Sequence, residues 1–413
     1  MKILFICRKY SAIHVEAWNH AGSPTIVKLL EALENDGHKI KVLFLSKNHD
    51  DNTLSTTITT NYDAFKNSLF CFIPYKGLEI KSSFLSSLSN SLLQFISIFN
   101  LFYEEKYDIY YVDRCHLLYA ALLSLLKKKV VWRCLGVNPF IQAKYDQSVI
   151  VRLLYYHFCR FLLYTPIKLF IVTNDGSAWF KLFTTKKIRR KTKILSNGVD
   201  RNIINNSESI NIREKFNISQ DTPILLYVSK LNELKGAWEF AQALKGLHEK
   251  NQNFFSILIG YGPLKSRIES YAKDNNLNDK IVCLGRVQHK TISSYLRNID
   301  IYVSMNKAGS MGNATLEAMA AGRCVVTLGM DKIKQIDKTT EKQIPSDVII
   351  RVDRENMIED LSRQLSFLIE KPDMIVEYSR RMKEFSKSFL WSWSERIRYE
   401  VEMLDKLAKG KQI

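Results

Sequence analysis

The sequence lacks the patterns that mark several common protein classes. Its seven cysteines form no CxxC pair and no zinc-ligand spacing, which is typical of a reduced cytoplasmic chain; they stand at positions 7, 71, 115, 134, 159, 283 and 324. No stretch of about eighteen uncharged apolar residues occurs, so a membrane-spanning helix is not expected. The run MKILFICRKY has too short an apolar part for a signal peptide and predicts a first buried strand. Internal repeats and low-complexity tracts are absent from the sequence as well.

Positive charge, in contrast, is abundant and unevenly spread. The 60 Lys and Arg against 42 Asp and Glu give a net charge of +18. Residues 1–200 carry 27 against 15, or +12, and residues 201–413 carry 33 against 27, or +6. A basic N-terminal half predicts an anionic partner such as a membrane surface, a lipid diphosphate or nucleic acid. Because no helix-turn-helix or aromatic RNA-binding signature accompanies the charge, nucleic acid is the weaker choice.

Buried strands alternate with helices along the chain, which predicts an α/β fold with doubly wound sheets. In the N-terminal half, strands are expected at Ile3–Cys7, Ile40–Leu45, Ile109–Val112, Val130–Arg133, Leu169–Thr173 and Lys193–Leu195, and helices at Thr25–Asn35, 84–102, Leu117–Leu126 and 149–164. The polar stretch 48–60 is expected to be a loop. A second domain alternates strand and helix from Ile224 to about Leu368, after a polar hinge at 199–209.

Two of these helices also bear on the membrane hypothesis. The apolar helices at 84–102 and 149–164, with the basic run at Lys186–Lys191, can form an interfacial patch for anionic lipid. For either helix alone, packing against the core of its own domain is the favoured interpretation. The charge of the whole N-terminal half nevertheless favours peripheral association with the cytoplasmic face of a membrane.

The stretch Asn306–Thr327, NKAGSMGNATLEAMAAGRCVVT, carries the most specific chemistry. It predicts a glycine loop, a helix capped by Asn313 or Thr315, and then a buried strand. A glycine-rich loop before a helix presents backbone N–H groups and the positive end of the helix dipole, which is a site for a phosphate or diphosphate. Glu317, just inside the helix, can accept hydrogen bonds from a ribose, so the segment favours a nucleoside-diphosphate ligand. Taken alone, it is also compatible with an ordinary loop, helix and strand.

Four preceding segments support the functional interpretation by their order and spacing. They are SNGVD at Ser196–Asp200, LLYVSKLNELKG at Leu225–Gly236, ILIGYGPLKSRIE at Ile257–Glu269, and IVCLGRVQHKTISSYLRNIDIYVS at Ile281–Ser304. Together with Asn306–Thr327 they resemble the family 4 glycosyltransferases, whose motifs are NGVD, GRLxxxKG, GxGP, GxV and a Glu-x7-Glu element ending in EAMAxG. The resemblance implies the GT-B fold: two Rossmann-like doubly wound domains facing across a cleft, with a C-terminal helix crossing back to the N-terminal domain. The domains are expected at 1–198 (acceptor), 199–385 (donor) and 386–413 (crossover helix).

The resemblance also implies roles for individual residues. Lys230 and Lys235 stand where the family holds the donor diphosphate with an arginine and a lysine, and Glu317 stands at the glutamate that binds the ribose. Arg286 and Val287 lie where the nucleobase passes a strand end. The other residues expected at the donor are Gly309, Ser310, Met311, Gly312, Asn313, Ala314, Thr315, Gly260 and Gly262.

This sequence departs from the family pattern at three places. The first glutamate of the Glu-x7-Glu element, which contacts the donor sugar, is Gly309 here, and the glycine before the motif arginine is Ser229. The catalytic-site histidine of the N-terminal domain falls on Asp113, with His116 three residues later. A carboxylate at this strand end can equally cap the next helix. Ala21, Gly22 and Gly136 are expected on the acceptor side.

The expected activity is transfer of a sugar from a nucleotide-diphosphate sugar, with UDP favoured, to a hydroxyl of a lipid-linked or oligosaccharide acceptor in surface polysaccharide synthesis. The resemblance implies retention of anomeric configuration, no metal and no cofactor beyond the nucleotide sugar. Two alternatives stay open: a non-catalytic nucleotide-binding partner subunit of the same fold, which Gly309 favours, and a sugar-nucleotide epimerase. A nucleic-acid binder rests on charge alone.

Overall fold

The structure is a computed structural model. It describes residues 1–8, 24–47, 57–75, 91–96, 98–100, 103, 105–114, 116–135, 157–177, 185–206 and 210–413. The chain divides into two compact units. The first unit comprises Met1–Thr173, Trp179–Leu195 and Ser394–Ile413, and the second unit comprises Asn174–Ala178 and Ser196–Trp393.

The first unit is built on one sheet with the strand order β3-β4-β2-β1-β5-β6-β7-β8. Its strands are β1 (Lys2–Arg8), β2 (Lys39–Lys47), β3 (Ile58–Thr60), β4 (Ser68–Tyr75), β5 (Ile109–Asp113), β6 (Val130–Leu135), β7 (Leu169–Thr173) and β8 (Thr192–Leu195). All neighbours pair in parallel except β3, which pairs antiparallel with β4 at the edge. The strand order reverses between β1 and β5, so the carboxyl ends of these two strands flank the position where such sheets bind ligands.

Helices accompany this sheet, and apolar periodicity predicted those at Pro24–Asn35 and Leu117–Leu125 but not the short one at Lys186–Arg190. They are α1 (Pro24–Asn35), α2 (Leu117–Leu125) and the short α3 (Lys186–Arg190). Residues 91–96, 98–99 and 157–163 are also helical, which agrees with the described parts of two predicted helices. The prediction of a loop over 48–60 is wrong for its last three residues, because Ile58–Thr60 forms β3 against β4. An edge strand of three residues carries too little periodicity to be recognised in the sequence.

The second unit has a six-stranded parallel sheet in the order β11-β10-β9-β12-β13-β14. The strands are β9 (Ile224–Val228), β10 (Phe255–Ile259), β11 (Ile281–Gly285), β12 (Ile301–Ser304), β13 (Cys324–Leu328) and β14 (Ile350–Val352). This is the strand order of a dinucleotide-binding Rossmann sheet, with its reversal between β9 and β12. Ligands of such sheets bind at the carboxyl ends of the two strands beside the reversal.

Helices connect these strands and pack on both faces of the sheet. They are α4 (Arg201–Asn206), α5 (Ile212–Lys215), α6 (Ala237–Glu249), α7 (Lys265–Asp274), α8 (His289–Arg297), α9 (Asn313–Ala320), α10 (Lys338–Gln343), α11 (Met357–Glu370) and α12 (Pro372–Phe389). The helix that follows them in the chain is α13 (Trp393–Ala408). Helix α4 occupies much of the stretch 199–209 that was expected to be a polar hinge. Among the described residues, none of the helices is both long and apolar enough to cross a membrane.

Helix α13 belongs to the first unit from Ser394 onward. The Tyr111 hydroxyl, on β5, donates a 2.5 Å hydrogen bond to Glu400 Oε1, and Arg396 Nη1 donates a 2.6 Å bond to Glu400 Oε2. All three side chains are fully buried. Burial raises the pKa of Tyr111, and the charge of Glu400 raises it further, so the phenol stays protonated and donates to the carboxylate. This polar cluster fixes the C-terminal helix on the first sheet.

Candidate functional site

The residues expected to bind the donor lie in the second unit, on the loops that follow β9 and β12. Lys230 and Lys235 follow β9, and Gly309–Gly312 follow β12. These are the two strands beside the reversal in strand order. The two loops contact each other, since the Lys307 N–H donates a 3.0 Å bond to Leu234 O. The topology therefore brings both groups of predicted residues to one edge of one sheet.

Lys235 stands at the end of a 3₁₀ turn, Glu233–Lys235, that Asn232 caps through a 3.0 Å bond to the Lys235 N–H. Burial lowers the pKa of Lys235, the carboxylate of Asp175 raises it, and the neighbouring charge of Lys230 lowers it. The pKa of Asp175 is itself raised by burial, against hydrogen bonds from Ser177 and the charge of Lys235. Two close cations and one opposed carboxylate leave this edge with an excess of positive charge.

Glycines align the β9 loop with the neighbouring β10 loop. A Cβ on Gly260 would lie 1.8 Å from Ser229 O, and one on Gly262 would lie 2.2 Å from Leu231 O. The Leu231 N–H also donates a 2.8 Å bond to Tyr261 O. Both glycines therefore serve to bring the main chains together, which places Lys230 beside Tyr261.

Tyr261 organises two of the predicted cations. The Arg286 guanidinium carbon lies 3.4 Å from the centre of the Tyr261 ring, and Lys230 Nζ lies 5.8 Å from it. Arg286 follows β11, so the ring links a residue expected near the nucleobase to one expected at the diphosphate. This role could not be predicted from the motif, because Tyr261 is the variable residue between its two glycines.

The loop after β12 is held by two acidic residues that the sequence analysis missed. The Met311 N–H donates a 3.1 Å bond to Asp175 O. Asp337 Oδ1 accepts bonds from the Ser310 N–H (2.9 Å) and hydroxyl (2.7 Å), and Asp337 Oδ2 lies 3.0 Å from Arg354 Nη2. Burial raises the pKa of Asp337 to about 6, although the Ser310 hydrogen bonds and Arg354 lower it. The residues that shape the loop thus come from distant parts of the chain.

Gly309 lies at the point of closest approach in this loop. Its φ is +144°, and a Cβ built on it would lie 2.4 Å from Asp175 O. Residues other than glycine rarely adopt this backbone conformation. The absence of the family's glutamate at this position is therefore tied to the course of the main chain.

Helix α9 begins at Asn313, with Gly312 as its N-cap. The expectation that Asn313 or Thr315 caps the helix is wrong: Asn313 is the first helical residue, and its Oδ1 accepts a 2.6 Å bond from Asn197 Nδ2. By helix geometry, the N–H groups of Asn313, Ala314 and Thr315 have no intrahelical acceptor. A Cβ on Gly312 would meet nothing within 4 Å, so the space before the helix is open. This is the arrangement that binds a phosphate at a helix N-terminus.

Glu317 lies one turn further along α9 and contacts α8. Its Oε1 is 2.7 Å from His289 Nε2, and the Glu317 side chain is 12% exposed against 66% for His289. The carboxylate is thus fixed in direction by a histidine that itself faces solvent. A diol that binds Glu317 has to share it with this imidazole or displace it.

The two candidates in the first unit, Asp113 and His116, lie at the carboxyl end of β5, beside its reversal in strand order. Asp113 is fully buried, with Oδ1 2.9 Å from Arg133 Nη1 and Oδ2 3.2 Å from Arg114 Nε. His116 is the N-cap of α2 and stacks on Tyr119 with 5.1 Å between ring centres. The structure thus places Asp113 in a buried ion-pair cluster. Ala21, Gly22 and Gly136 lie outside the described residues.

The second-unit edge combines features that suit a nucleoside diphosphate. It offers two lysines and a helix N-terminus for the phosphates, a directed carboxylate for a diol, and a cation stacked on an aromatic ring near the expected nucleobase. In the part of the chain that the structure covers, no group of three or more His, Cys, Asp or Glu side chains is arranged to hold a metal ion.

Comparison with known proteins agrees with this chemistry. Residues 208–389 match the family model described as Glycosyl transferases group 1. An uncharacterized glycosyltransferase of Methanocaldococcus jannaschii is 28% identical over 36% of this chain and 39% of its own length. The amylovoran biosynthesis glycosyltransferase AmsK of Erwinia amylovora is 29% identical over 28% of this chain and 31% of its own length. The alignments thus span less than two fifths of either relative.

A solved structure extends the similarity of fold to nearly the whole chain. Anabaena HepE, solved in complex with UDP and glucose, superposes with a TM-score of 0.66 at 14% identity, over 98% of this chain and all of that one. At this identity the likeness concerns the fold alone. The predicted fold class, α/β of the GT-B type with two Rossmann-like sheets, is confirmed.

Proposed function

We propose that this protein transfers a sugar from a nucleotide-diphosphate sugar to a hydroxyl acceptor. The observation that carries the proposal is the convergence of Lys230, Lys235 and the N-terminus of α9 at the strand-order reversal of the second unit. The match of residues 208–389 to a glycosyltransferase family model supports it independently.

The proposed donor diphosphate lies against α9 with its charge facing the two lysines. When the bond to the anomeric carbon breaks, the sugar becomes oxocarbenium-like and the nucleoside diphosphate leaves as an anion. Fixed positive groups at the leaving phosphate therefore stabilise the transition state more than the ground state. Burial makes Lys235 costly to keep charged in the free protein, and a bound diphosphate offsets that cost.

The remaining donor contacts follow from the same geometry. Glu317 accepts the ribose hydroxyls, and the Arg286 and Val287 backbone passes the nucleobase, for which uracil is our first choice. HepE, a protein of the same fold, was solved with UDP, which supports that choice. In the proposed mechanism the reaction retains anomeric configuration, the leaving phosphate helps to deprotonate the acceptor, and the lysines take the place of a metal.

We place acceptor recognition in the first unit. Because Asp113 is buried between two arginines, its proposed role is to position Arg114 and the following His116 at the end of β5. The acceptor we favour is a lipid-linked or oligosaccharide chain of a surface polysaccharide, and the similarity to the amylovoran biosynthesis glycosyltransferase AmsK supports this class. The charge of +12 on residues 1–200 supports peripheral association with an anionic membrane face.

One observation favours a different function, a non-catalytic nucleotide-binding partner. Gly309 removes the side chain that the resembled family uses on the donor sugar. Such a protein binds the nucleotide through the same lysines and transfers nothing. Sugar transfer and donor hydrolysis separate the two functions, because both are absent from a binding subunit.

The test measures melting temperature with UDP, GDP, ADP, CMP and their sugars, then transfer to a lipid-extract acceptor. A ligand at one hundred times its Kd adds about 2.7 kcal/mol of apparent stability. We expect one nucleotide to give this shift, and Lys235→Ala and Glu317→Ala to lose it. Lys250→Ala, which removes an exposed charge elsewhere in the second unit, is the matched control. No shift with any nucleotide would reject the donor site, and a shift without transfer or hydrolysis would favour the partner subunit.

A further inference from the structure

A row of lysines lies at the amino edge of the first sheet. Lys129, Lys168 and Lys191 each immediately precede one of three adjacent parallel strands, β6, β7 and β8. The strand pairing confirms that they are neighbours, since the Lys168 N–H donates to Val130 O and the Phe170 N–H donates to Lys191 O. Adjacent strands are about 4.8 Å apart, so three cations start neighbouring strands at that spacing.

These lysines line a cavity of about 380 Å³. The end of α13 and the residues after it form its other side. Six cationic side chains line the cavity: Lys129, Lys168, Arg190, Lys191, Lys193 and Lys411. None of the lining side chains, all of which are described, is acidic. The volume is within the range of pockets that hold small molecules.

Among the described residues, none of these six cations forms an ion pair with an acidic side chain. Lys129 Nζ donates a 2.6 Å bond to Ala408 O, and Lys191 Nζ donates a 3.1 Å bond to Ile167 O, so both bond to neutral carbonyls. Burial lowers the pKa of Lys191, and the charges of Lys187 and Lys168 lower it further. By contrast, Lys2 and Lys41 at the same edge share the carboxylate of Glu105. The lysines therefore repel one another, and binding of a multivalent anion would lower this electrostatic energy.

We propose that this cavity is a binding site for a phosphate-bearing anion, carried either by a free phosphorylated compound or by a lipid headgroup. It lies at the amino ends of β6, β7 and β8, whereas Asp113 and His116 lie beyond the carboxyl end of β5 in the same parallel sheet. The site is thus separate from the proposed acceptor residues of this unit and goes beyond the transfer reaction. Lysines supply point charges for such a group without fixing one orientation.

The first experiment is calorimetric titration with pyrophosphate at about 50 mM salt. It uses the full chain carrying Lys230→Ala and Lys235→Ala, so that the proposed donor site does not contribute. We expect this protein to bind pyrophosphate, and the added pair Lys168→Ala and Lys191→Ala to weaken binding at least about tenfold. The control pair Lys250→Ala and Lys273→Ala removes the same charge from exposed positions in the second unit and is expected to change binding less than about twofold.

Folding is controlled in the same series. The charge-preserving pair Lys168→Arg and Lys191→Arg should keep most of the affinity, and the alanine pair should not lower the melting temperature because it removes repulsion. We call Lys168→Ala with Lys191→Ala the pocket pair, and Lys250→Ala with Lys273→Ala the control pair. The proposal is overturned if the two pairs bind pyrophosphate with equal affinity, or if the protein that carries only Lys230→Ala and Lys235→Ala does not bind it. Because Lys230 and Lys235 are absent throughout, neither result depends on whether the protein transfers sugar.

Vesicle flotation then identifies the source of the phosphate. The probes are vesicles of phosphatidylcholine alone and of phosphatidylcholine with 30% phosphatidylglycerol, a composition of our choosing in the range of anionic membranes. Loss of anionic-vesicle binding in the pocket pair but not in the control pair supports a lipid headgroup. Unchanged vesicle binding with lost pyrophosphate binding supports a free phosphorylated compound. Pyrophosphate at saturating concentration should compete with the vesicles only in the first case.

Discussion

Gly309 provides a direct test of how the donor loop is built. The resembled family has a glutamate at this position, and the simplest repair of the motif is to restore a side chain there. Two features of the structure disfavour that change: φ is +144°, and the added Cβ would lie 2.4 Å from the carbonyl oxygen of Asp175. That oxygen already accepts the Met311 N–H at 3.1 Å, so the main chain cannot yield without losing this bond.

The expected cost is the sum of two effects. Holding a residue other than glycine in this backbone region costs about 1–3 kcal/mol. The contact is with main chain, so its relief requires displacement of the loop and loss of a hydrogen bond, which adds about 1 kcal/mol or more. We therefore expect Gly309→Ala to lower the free energy of unfolding of the second unit by about 3 kcal/mol, and Gly309→Glu by at least as much.

Two other glycines separate these effects. Gly37 has φ +73° with nothing within 4 Å of an added Cβ, so Gly37→Ala bears the backbone cost alone, about 1–2 kcal/mol. Gly312 has φ −71° and the same open space, so Gly312→Ala should cost about 0.5 kcal/mol through the poorer N-cap. The loss of unfolding free energy is therefore predicted to be smallest for Gly312→Ala, larger for Gly37→Ala and largest for Gly309→Ala.

The assay is urea unfolding, fitted with a separate transition for each unit because two domains need not unfold together. Hydrogen exchange at the Met311 amide gives a local measure, since this group should exchange faster in Gly309→Ala and not in Gly312→Ala. If Gly309→Ala unfolds at the same urea concentration as wild type, the backbone requirement is wrong. The missing glutamate would then be a simple side-chain replacement.

Three further predictions test the site and the fold. The pKa of Asp337 is raised to about 6 in the folded protein from 3.8, so the cost of burying this carboxyl appears as the pH rises through 3.8 and is complete near pH 7. The advantage of Asp337→Asn over wild type in unfolding free energy should therefore grow by about 2 kcal/mol between pH 4 and pH 7. An advantage independent of pH contradicts the assignment. Tyr261→Leu removes the ring that stacks on Arg286 and should raise the nucleotide Kd about fivefold in calorimetry, with little change in melting temperature. Tyr261→Phe keeps the ring and should leave the Kd unchanged. Glu400→Ala leaves the fully buried Arg396 without its carboxylate and should destabilise the first unit by about 3–5 kcal/mol in urea unfolding, far more than the apolar pair Arg396→Met with Glu400→Leu.

Much of the fold could be predicted because local patterns decide it. The buried strands β1 and β7 and the helix α1 carry clear periodicity, and the structure places them within about two residues of the prediction. The edge strand β3 could not be predicted, because three residues at a sheet edge obtain their structure from the neighbour β4. The inclusion of Asn174–Ala178 in the second unit is likewise a property of tertiary contacts and not of those five residues.

The candidate site, like the fold, could be predicted from the sequence only where its residues belong to local motifs. Lys235 and Glu317 were recognisable because their motifs are contiguous in sequence, and the strand order brings their loops to one edge. Asp175 and Asp337 were missed, because each acts on the loop after β12 from a distant part of the chain. Asp175 acts through its main-chain carbonyl and Asp337 through its carboxylate, and neither residue belongs to a local pattern that relates it to Met311 or Ser310.

The contact between Asp175 and Gly309 also bears on whether the site is active. The chain has glycine where the resembled family has the glutamate that contacts the donor sugar, and Asp175 is the acidic residue that lies next to both this glycine and Lys235. We therefore expect the carboxylate of Asp175, which lies close enough to Lys235 to raise its pKa, to take part in donor recognition.

This expectation makes two predictions of opposite sign for Asp175→Asn. Removal of a negative charge beside Lys235 should tighten binding of the nucleoside diphosphate, because the carboxylate and the phosphates compete for the same lysine. Loss of the carboxylate should at the same time lower the rate of sugar transfer, because a neutral amide replaces the carboxylate that we expect to contact the donor. Calorimetry and turnover measure the two effects separately, with the exposed Asp274→Asn as the control. If binding and transfer weaken together, the Asp175 side chain has a structural role, such as its bond from the Ser177 N–H, and no role toward the sugar.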